Sequence, residues 1–337
     1  MLKFNETEYK TNLTNQIEAI QDGKRVADEI AREGYKNIFF VAVGGTVAMM
    51  MHFEEIAKEY SDIPVFVAQA GELVLTGHKQ LTKDSLVIMG SKSGDTKETV
   101  AAAKWCKERG YRVASMVIDP ESPLGKESTW CLPLKVFKGV EYEYLCIFGL
   151  FYGLLANNHE FPDFDEFYQQ LHQYLPEGLT KIQKDFDEKA AEIAGKYYNA
   201  DYQLWIGGGE LWGEVYLYTM CILEEMQWIR TKSVRTSEFF HGTIELVEKG
   251  LPVFLVKGVG KCRSIDNRAE KFLKEYADEL VIIDVKDYLI DGIDEKFAPL
   301  VSPIISTALL NGRLSKHFEN KTGHDLDTRR YYRQFEY

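Results

Sequence analysis

Apolar residues fall along this chain in two alternating patterns. Short unbroken runs occupy residues 37–43, 64–68, 86–89, 111–117, 202–206, 252–256 and 280–284. Runs this short, apolar at successive positions, read as strands covered on both faces. Between them apolar residues recur at helical spacing. Ile17, Ile20, Val26, Ile30 and Ala31 mark a helix over residues 8–33 that Gly34 ends. Further helices are expected over 48–60, 97–109, 264–276 and 302–318, with another running through to Glu225. Strand and helix in alternation predict βαβ units, and therefore an α/β fold with parallel sheets.

The longest apolar stretch, residues 144–156, is shorter than the roughly 20 residues a bilayer span needs and reads as a core helix. Asn157-Asn158-His159-Glu160-Phe161-Pro162-Asp163 is polar, contains proline and predicts a linker. Residues 164–196 read as two amphipathic helices broken near Pro176-Glu177-Gly178. Strand, glycine turn and helix then restart, with Gly207-Gly208-Gly209-Glu210 after one strand and Gly258-Val259-Gly260 after the next. Two diverged α/β domains are expected, over residues 1–160 and 161–337.

Two turns in the first half concentrate chemistry. Strand 37–43 meets Gly44-Gly45-Thr46 and then a helix. Strand 86–89 meets Ser91-Lys92-Ser93-Gly94-Asp95-Thr96 and then another. Asp95 or Thr96 can cap that helix. A helix start leaves amides unpaired at the positive end of the macrodipole. Three hydroxyls and Lys92 beside it suit a phosphate. Ligands in open parallel sheets bind beyond the carboxyl ends of strands, where strand order reverses, so the two turns can grip one ligand. The fingerprints of dinucleotide-binding folds and of nucleotide hydrolases are missing.

Composition narrows the field. A net charge of −12 argues against a nucleic-acid surface. The five cysteines, Cys106, Cys131, Cys146, Cys221 and Cys262, are scattered and form no Cys-x-x-Cys pair, as in a reduced cytoplasmic protein. Met1 to Glu8 carries no apolar signal core. No cluster of His, Cys, Asp and Glu has metal spacing. No metal, no membrane and no nucleic-acid partner are expected.

The strand–Gly44-Gly45-Thr46–helix unit, the serine-rich loop 91–96, and Glu225 followed by His241-Gly242 resemble the sugar isomerase (SIS) family. The whole chain is similar to the double-SIS isomerase half of glucosamine-6-phosphate synthase. That resemblance implies two flavodoxin-like, three-layer αβα domains with mainly parallel sheets. It implies that Ser91, Lys92, Ser93 and Thr96 hold the phosphate of a sugar, with Gly45 and Thr46 lining the sugar. Glu225 and His241 stand 16 residues apart, the family's spacing for a proton-transfer glutamate and a ring-opening histidine. Glu238 matches the pattern too. The resemblance further implies a homodimer or higher homo-oligomer in which His241 reaches the neighbouring subunit's site.

The chain departs from the synthase in three ways. It lacks the amidotransferase half, Gly242-Thr243 follows the histidine, and no lysine follows Lys321. Its ending, Arg329-Arg330-Tyr331-Tyr332-Arg333-Gln334-Phe335-Glu336-Tyr337, resembles that of stand-alone fructosamine-6-phosphate deglycases. Cys262-Arg263-Ser264 with Asn267-Arg268-Ala269 does so as well. This resemblance implies cleavage of a phosphosugar–amine adduct to glucose 6-phosphate and a free amine, with no cofactor. Arg330 and Tyr331 would contact substrate, while Arg329 and Arg330 can equally anchor the tail through salt bridges. An aldose–ketose or amino-sugar phosphate isomerase, or a non-catalytic sugar-phosphate-binding protein, are the other readings. Glu225 ends an otherwise apolar helical stretch, which suits proton transfer, with Glu224 beside it as a decoy.

Overall fold

The computed structural model describes residues 1–335, so Glu336 and Tyr337 of the tail motif lie outside the described residues. Backbone contacts divide the chain into an amino-terminal unit, Glu6–Pro176, and a carboxy-terminal unit, Met1–Asn5 with Glu177–Tyr337.

The amino-terminal unit carries strands β1 (Asn37–Ala42), β2 (Val65–Gln69), β3 (Ser85–Gly90), β4 (Arg112–Val117) and β5 (Trp130–Pro133). All pair in parallel, in the order β2-β1-β3-β4-β5. That is the flavodoxin-like order, with its reversal between β1 and β3. Its helices are α1 (Glu6–Glu18), α2 (Ile20–Glu33), α3 (Gly44–Tyr60), α4 (Ala70–Thr76), α5 (Lys97–Glu108), α6 (Pro123–Glu127) and α7 (Glu141–Asn157), followed by α8 (Phe164–Tyr197).

Alternation of side chains along each strand builds the three layers. Phe39, Val41, Val87 and Met89 face Ala70, Leu73, Ala102 and Cys106 of α4 and α5. Phe40 points the other way, to Phe53 of α3 and Phe151 of α7. Helices α2 and α7 approach at paired glycines. A Cβ on Gly149 would sit 2.1 Å from the Ile20 carbonyl oxygen, and one on Gly23 would sit 2.9 Å from the Leu150 nitrogen.

The carboxy-terminal unit holds β6 (Gln203–Gly207), β7 (Thr231–Arg235), β8 (Val253–Lys257) and β9 (Leu280–Asp284), again all parallel, in the order β7-β6-β8-β9. Its helices are α9 (Trp212–Leu217), α10 (Glu225–Gln227), α11 (Thr236–Phe239), α12 (Arg263–Tyr276), α13 (Ala298–Leu309) and α14 (Ser315–Thr322). Leu204, Ile206 and Leu255 pack with Phe239, Ala269 and Leu273 on one face of this sheet. Trp205 and Phe254 stack at 4.1 Å on the other.

Several local expectations are revised. Strands β5 and β7 add to the seven expected. Of the four edge strands, β2, β5, β7 and β9, only β7 is polar in sequence, with Val234 alone buried; β5 is a short apolar run, Trp130-Cys131-Leu132, closed by Pro133. The helix over 8–33 is broken at Ala19 into α1 and α2. The helices expected on either side of Pro176 are one continuous helix, α8. Its first half packs Phe167 on Phe148 and Tyr152 of the amino-terminal unit, whereas Gly178 lies against Ile290. The two units therefore part inside a helix. The polar stretch 157–163 is bound to the first of them, where Glu160 accepts hydrogen bonds from Ser61 Oγ at 2.7 Å and Asp62 N at 2.8 Å. The opening residues join the other unit, because Arg313 donates to the Leu2 carbonyl at 2.9 Å and Lys3 pairs with Glu319 at 2.7 Å.

Candidate functional site

In the amino-terminal unit the reversal of strand order brings together the turns after β1 and β3. Gly44, at φ +60°, turns the chain from β1 into α3, so Gly45 and Thr46 stand in that helix's first turn. After β3 the loop folds on itself. Ser91 is buried, and its hydroxyl lies 2.9 Å from that of Thr96 and accepts from the Gly94 amide at 3.1 Å. Thr96 is the residue preceding α5, but its hydroxyl goes to Ser91 and makes no cap bond to the helix. Thr96 thus does not cap α5, whose start carries the positive end of the helix dipole and suits an anion. The Ser93 hydroxyl donates to Asp95. Gly94, at φ +69°, is pressed against Ser122, and a Cβ there would lie 2.2 Å from Ser122 Oγ.

Lys92 is not loose at this loop. Its ammonium pairs with Glu143 at 2.8 Å, and the other oxygen of Glu143 receives the Thr46 hydroxyl at 3.4 Å. Glu143 is only 3% exposed and ties the two turns to each other through their side chains. Glu141 beside it is also buried, and burial pushes its carboxyl above the ordinary range. Neither glutamate was singled out in the sequence. The available signal was a pair of carboxylates at the head of an otherwise apolar helix.

In the carboxy-terminal unit the chain to Glu225 is wound unevenly. A 3-10 turn, Gly209–Leu211, leads into α9, then into π-helical turns, Tyr218–Glu224, and α10. Trp228, in the left-handed conformation at φ +57°, ends the run. Glu224, the decoy, is exposed and accepts from Thr231 Oγ1 at 2.5 Å. Glu225 is partly buried and receives Arg329 Nε at 2.6 Å. Arg329 also donates to the Leu326 carbonyl at 2.8 Å, so it does anchor the tail, on Glu225. The Arg330 guanidinium lies over the Trp228 ring at 4.2 Å, and His324 approaches that ring at 4.0 Å. A cleft of about 580 Å³ is lined by Glu224, Glu225, Trp228, Arg230 and residues 329–332 of the tail, Tyr331 among them. Trp228 escaped notice because nothing in a lone tryptophan marks it as the platform for an arginine a hundred residues on.

His241 stands elsewhere on this unit. It follows α11, its backbone amide bonds the Glu238 carbonyl at 2.9 Å, it is exposed, and it does not line the cleft around Glu225. Among the described residues no group of His, Cys, Asp and Glu could hold a metal ion, and no helix is long and apolar enough to cross a membrane.

The model of the SIS domain matches residues 33–141, the span that contains both turns of the amino-terminal crevice. The chain is 30% identical over 311 residues to fructosamine deglycase FrlB of Bacillus subtilis (strain 168), covering 89% of this chain and 92% of that protein. The chain belongs to the SIS family of the fructosamine deglycases. A second SIS relative, fructoselysine 6-phosphate deglycase of Escherichia coli (strain K12), is 22% identical over 91% of this chain and 88% of its own. The fold agrees throughout: a Bacillus subtilis structure described as a candidate phosphosugar isomerase superposes with a TM-score of 0.89, at 26% identity, over 98% of this chain and 100% of that one. The isomerase part of glutamine–fructose-6-phosphate aminotransferases is a more distant SIS relative. The family is one of sugar-phosphate isomerases and deglycases.

Proposed function

We propose that this SIS protein is a fructosamine-6-phosphate deglycase, which converts a phosphorylated ketosamine and water into glucose 6-phosphate and a free amine or amino acid. The phosphate docks on Ser91, Ser93 and Thr96 at the start of α5. Lys92, held by Glu143, adds positive charge without leaving its place, and Gly45 and Thr46 line the sugar. Glu225 takes the C1 proton of the open-chain ketosamine, and a proton returned at C2 leaves an aldimine of glucose 6-phosphate. Water adds at C1, the C1–N bond breaks, and the amine departs with the proton. His241, offered from a neighbouring subunit, assists ring opening. Arg330 and Tyr331 contact the amine-bearing end. No cofactor enters, because the substrate's own C2 carbonyl is the electron sink.

The observation that carries this reading is the contact of Arg329 with Glu225. The lysine-free tail, which resembles that of deglycases, docks through Arg329 on the glutamate chosen as the proton carrier. The decisive experiment incubates the protein with phosphorylated Amadori compounds and measures glucose 6-phosphate and free amine. Equimolar release of both is expected from the wild type and none from Glu225→Gln, which still binds substrate. Conversion of a sugar phosphate with no amine released would make the protein an isomerase. Binding without any product, or near-normal turnover by Glu225→Gln, would remove the catalytic role of Glu225.

A further inference from the structure

The two sheets repeat one arrangement, and their crevices differ in what fills them. In the amino-terminal unit strand order reverses between β1 and β3, in the carboxy-terminal unit between β6 and β8. Beyond β6 and β8 stand the glycine turns Gly207-Gly208-Gly209 and Gly258-Val259-Gly260, in the place where a parallel sheet binds ligands. Successive backbone amides in such a turn make a cradle for an anion.

That cradle already holds anions, and they are the protein's own. Glu210, 5% exposed, accepts from the Val259 amide at 2.8 Å and the Gly260 amide at 2.7 Å, both on Oε1. Asp266, 1% exposed, accepts from the Gly258 amide at 3.2 Å. Three consecutive amides are therefore taken by two carboxylates. The glycines are cut to this occupant. A Cβ on Gly258 would lie 2.4 Å from Glu210 Oε1, and a Cβ on Gly260 would lie 2.7 Å from Oε2. Gly209, at φ +53° and packed on Cys262, turns the chain so that Glu210 enters the crevice.

The cations nearby are taken as well. Lys257 is held by Glu270 and, at 3.4 Å, by Asp284. Arg263 grips Asp284 through two hydrogen bonds of 2.8 and 2.7 Å and donates to the Gly258 carbonyl at 2.7 Å. Glu210, Asp266, Glu270 and Asp284 thus gather around Lys257 and Arg263, a carboxylate-rich setting that disfavours a phosphate dianion. The amino-terminal crevice differs in kind, since its buried carboxylate, Glu143, binds the side chains of Lys92 and Thr46.

We infer that the crevice between β6 and β8 is an anion-binding cradle closed by an internal ligand, the Glu210 carboxylate, so that only the amino-terminal crevice is open to a phosphorylated ligand. The inference rests on the geometry of the carboxy-terminal unit and stands apart from the reaction assigned above. It explains why the duplicated unit retains glycine turns without hydroxyl-rich loops: a fixed carboxylate needs close backbone approach and no further donors.

The test is chemical replacement of the missing group in the full chain. Glu210→Ala leaves two buried amides without an acceptor and is expected to lower Tm by about 3 °C or more. Acetate or inorganic phosphate at tens of millimolar should recover much of that loss, whereas chloride at the same ionic strength should not. Titration calorimetry should find an anion site in Glu210→Ala that the wild type lacks, and that persists when Ser93→Ala weakens the other crevice. If the variant gains no anion site, and acetate or phosphate raises its Tm no more than that of the wild type, the inference fails. Should Glu210→Ala not fold, Gly260→Ala decides the matter. Its methyl group should displace the carboxylate and lower Tm in the otherwise unchanged chain, and cost clearly less beside Glu210→Asp, whose shorter side chain withdraws from the methyl. An equal loss in both backgrounds overturns the inference.

Discussion

Arg329 and Asp266 show how single residues acquire their roles from neighbours far along the chain. Arg329 is one of three arginines in the tail, and only its contact at 2.6 Å with Glu225 distinguishes it. If it positions Glu225, Arg329→Ala should lower kcat by as much as order 10²-fold while leaving the fold intact, with Arg329→Lys recovering part of the loss. Steady-state kinetics with circular dichroism as the control checks this, and an unchanged kcat would reduce the arginine to a tail anchor. Asp266 makes a prediction about stability. Burial raises its carboxyl from the ordinary 3.8 to about 6. The folded protein holds this proton more tightly than the unfolded chain, so the contribution to stability is present below about 3.8 and is lost as pH rises through about 6. Asp266→Asn, which keeps an acceptor for the Gly258 amide, should stabilise the protein at pH 7.5 by roughly 1–3 kcal/mol and give little at pH 4. Urea titrations at the two pH values would show a pH-independent effect if the burial argument is mistaken.

At the scale of elements, glycines fix how closely segments approach. Gly94 combines a φ of +69° with a Cβ position 2.2 Å from Ser122 Oγ. Gly94→Ala should therefore push apart the serine loop and the start of α6. Phosphosugar affinity is expected to fall tenfold or more, with destabilisation of about 1–3 kcal/mol. An alanine variant with unaltered binding by calorimetry would show that the loop geometry is not what holds the ligand. Gly149 serves packing instead. Gly149→Ala drives a methyl into the Ile20 carbonyl and should cost about 1–3 kcal/mol or more in denaturant titrations, with KM unchanged in whatever is folded. The π-helical turns before Glu225 belong to this scale too. Regular α-helical spacing does not say which of two adjacent glutamates meets the tail, because the winding changes just before them.

For the whole molecule, the telling feature is the exposure of His241 and its separation from the cleft that Glu225 lines. If neighbouring subunits exchange this histidine, each site draws its glutamate and histidine from different chains. Mixing Glu225→Gln with His241→Asn chains after unfolding and refolding should then create hybrid dimers with one intact site. Activity should return to about a quarter of wild type for random dimer pairing, although each variant alone is inactive. Failure of the mixture to gain activity would place both residues in one chain's own site, or remove His241 from catalysis. The division of the chain inside α8 is likewise visible only in three dimensions, since helix propensity continues smoothly past the point where packing partners change.

The α/β class, seven of the nine strands and the turns after β1 and β3 were all readable along the chain. Each depends on local order: apolar succession for a covered strand, glycine and hydroxyls for a turn that ends in a helix. Strand β7 was not readable, because it buries Val234 alone, and β5 is a four-residue run closed by a proline. Nor were the pairings of Lys92 with Glu143, Glu225 with Arg329 and Glu210 with the amides of Val259 and Gly260. Those partners are from 49 to 104 residues apart in sequence, and a charge carries no local mark of the one that will neutralise it. The kinds of chemistry available were thus written in the residue types. Folding alone assigned one crevice to an outside anion and filled the other with a carboxylate of the chain itself.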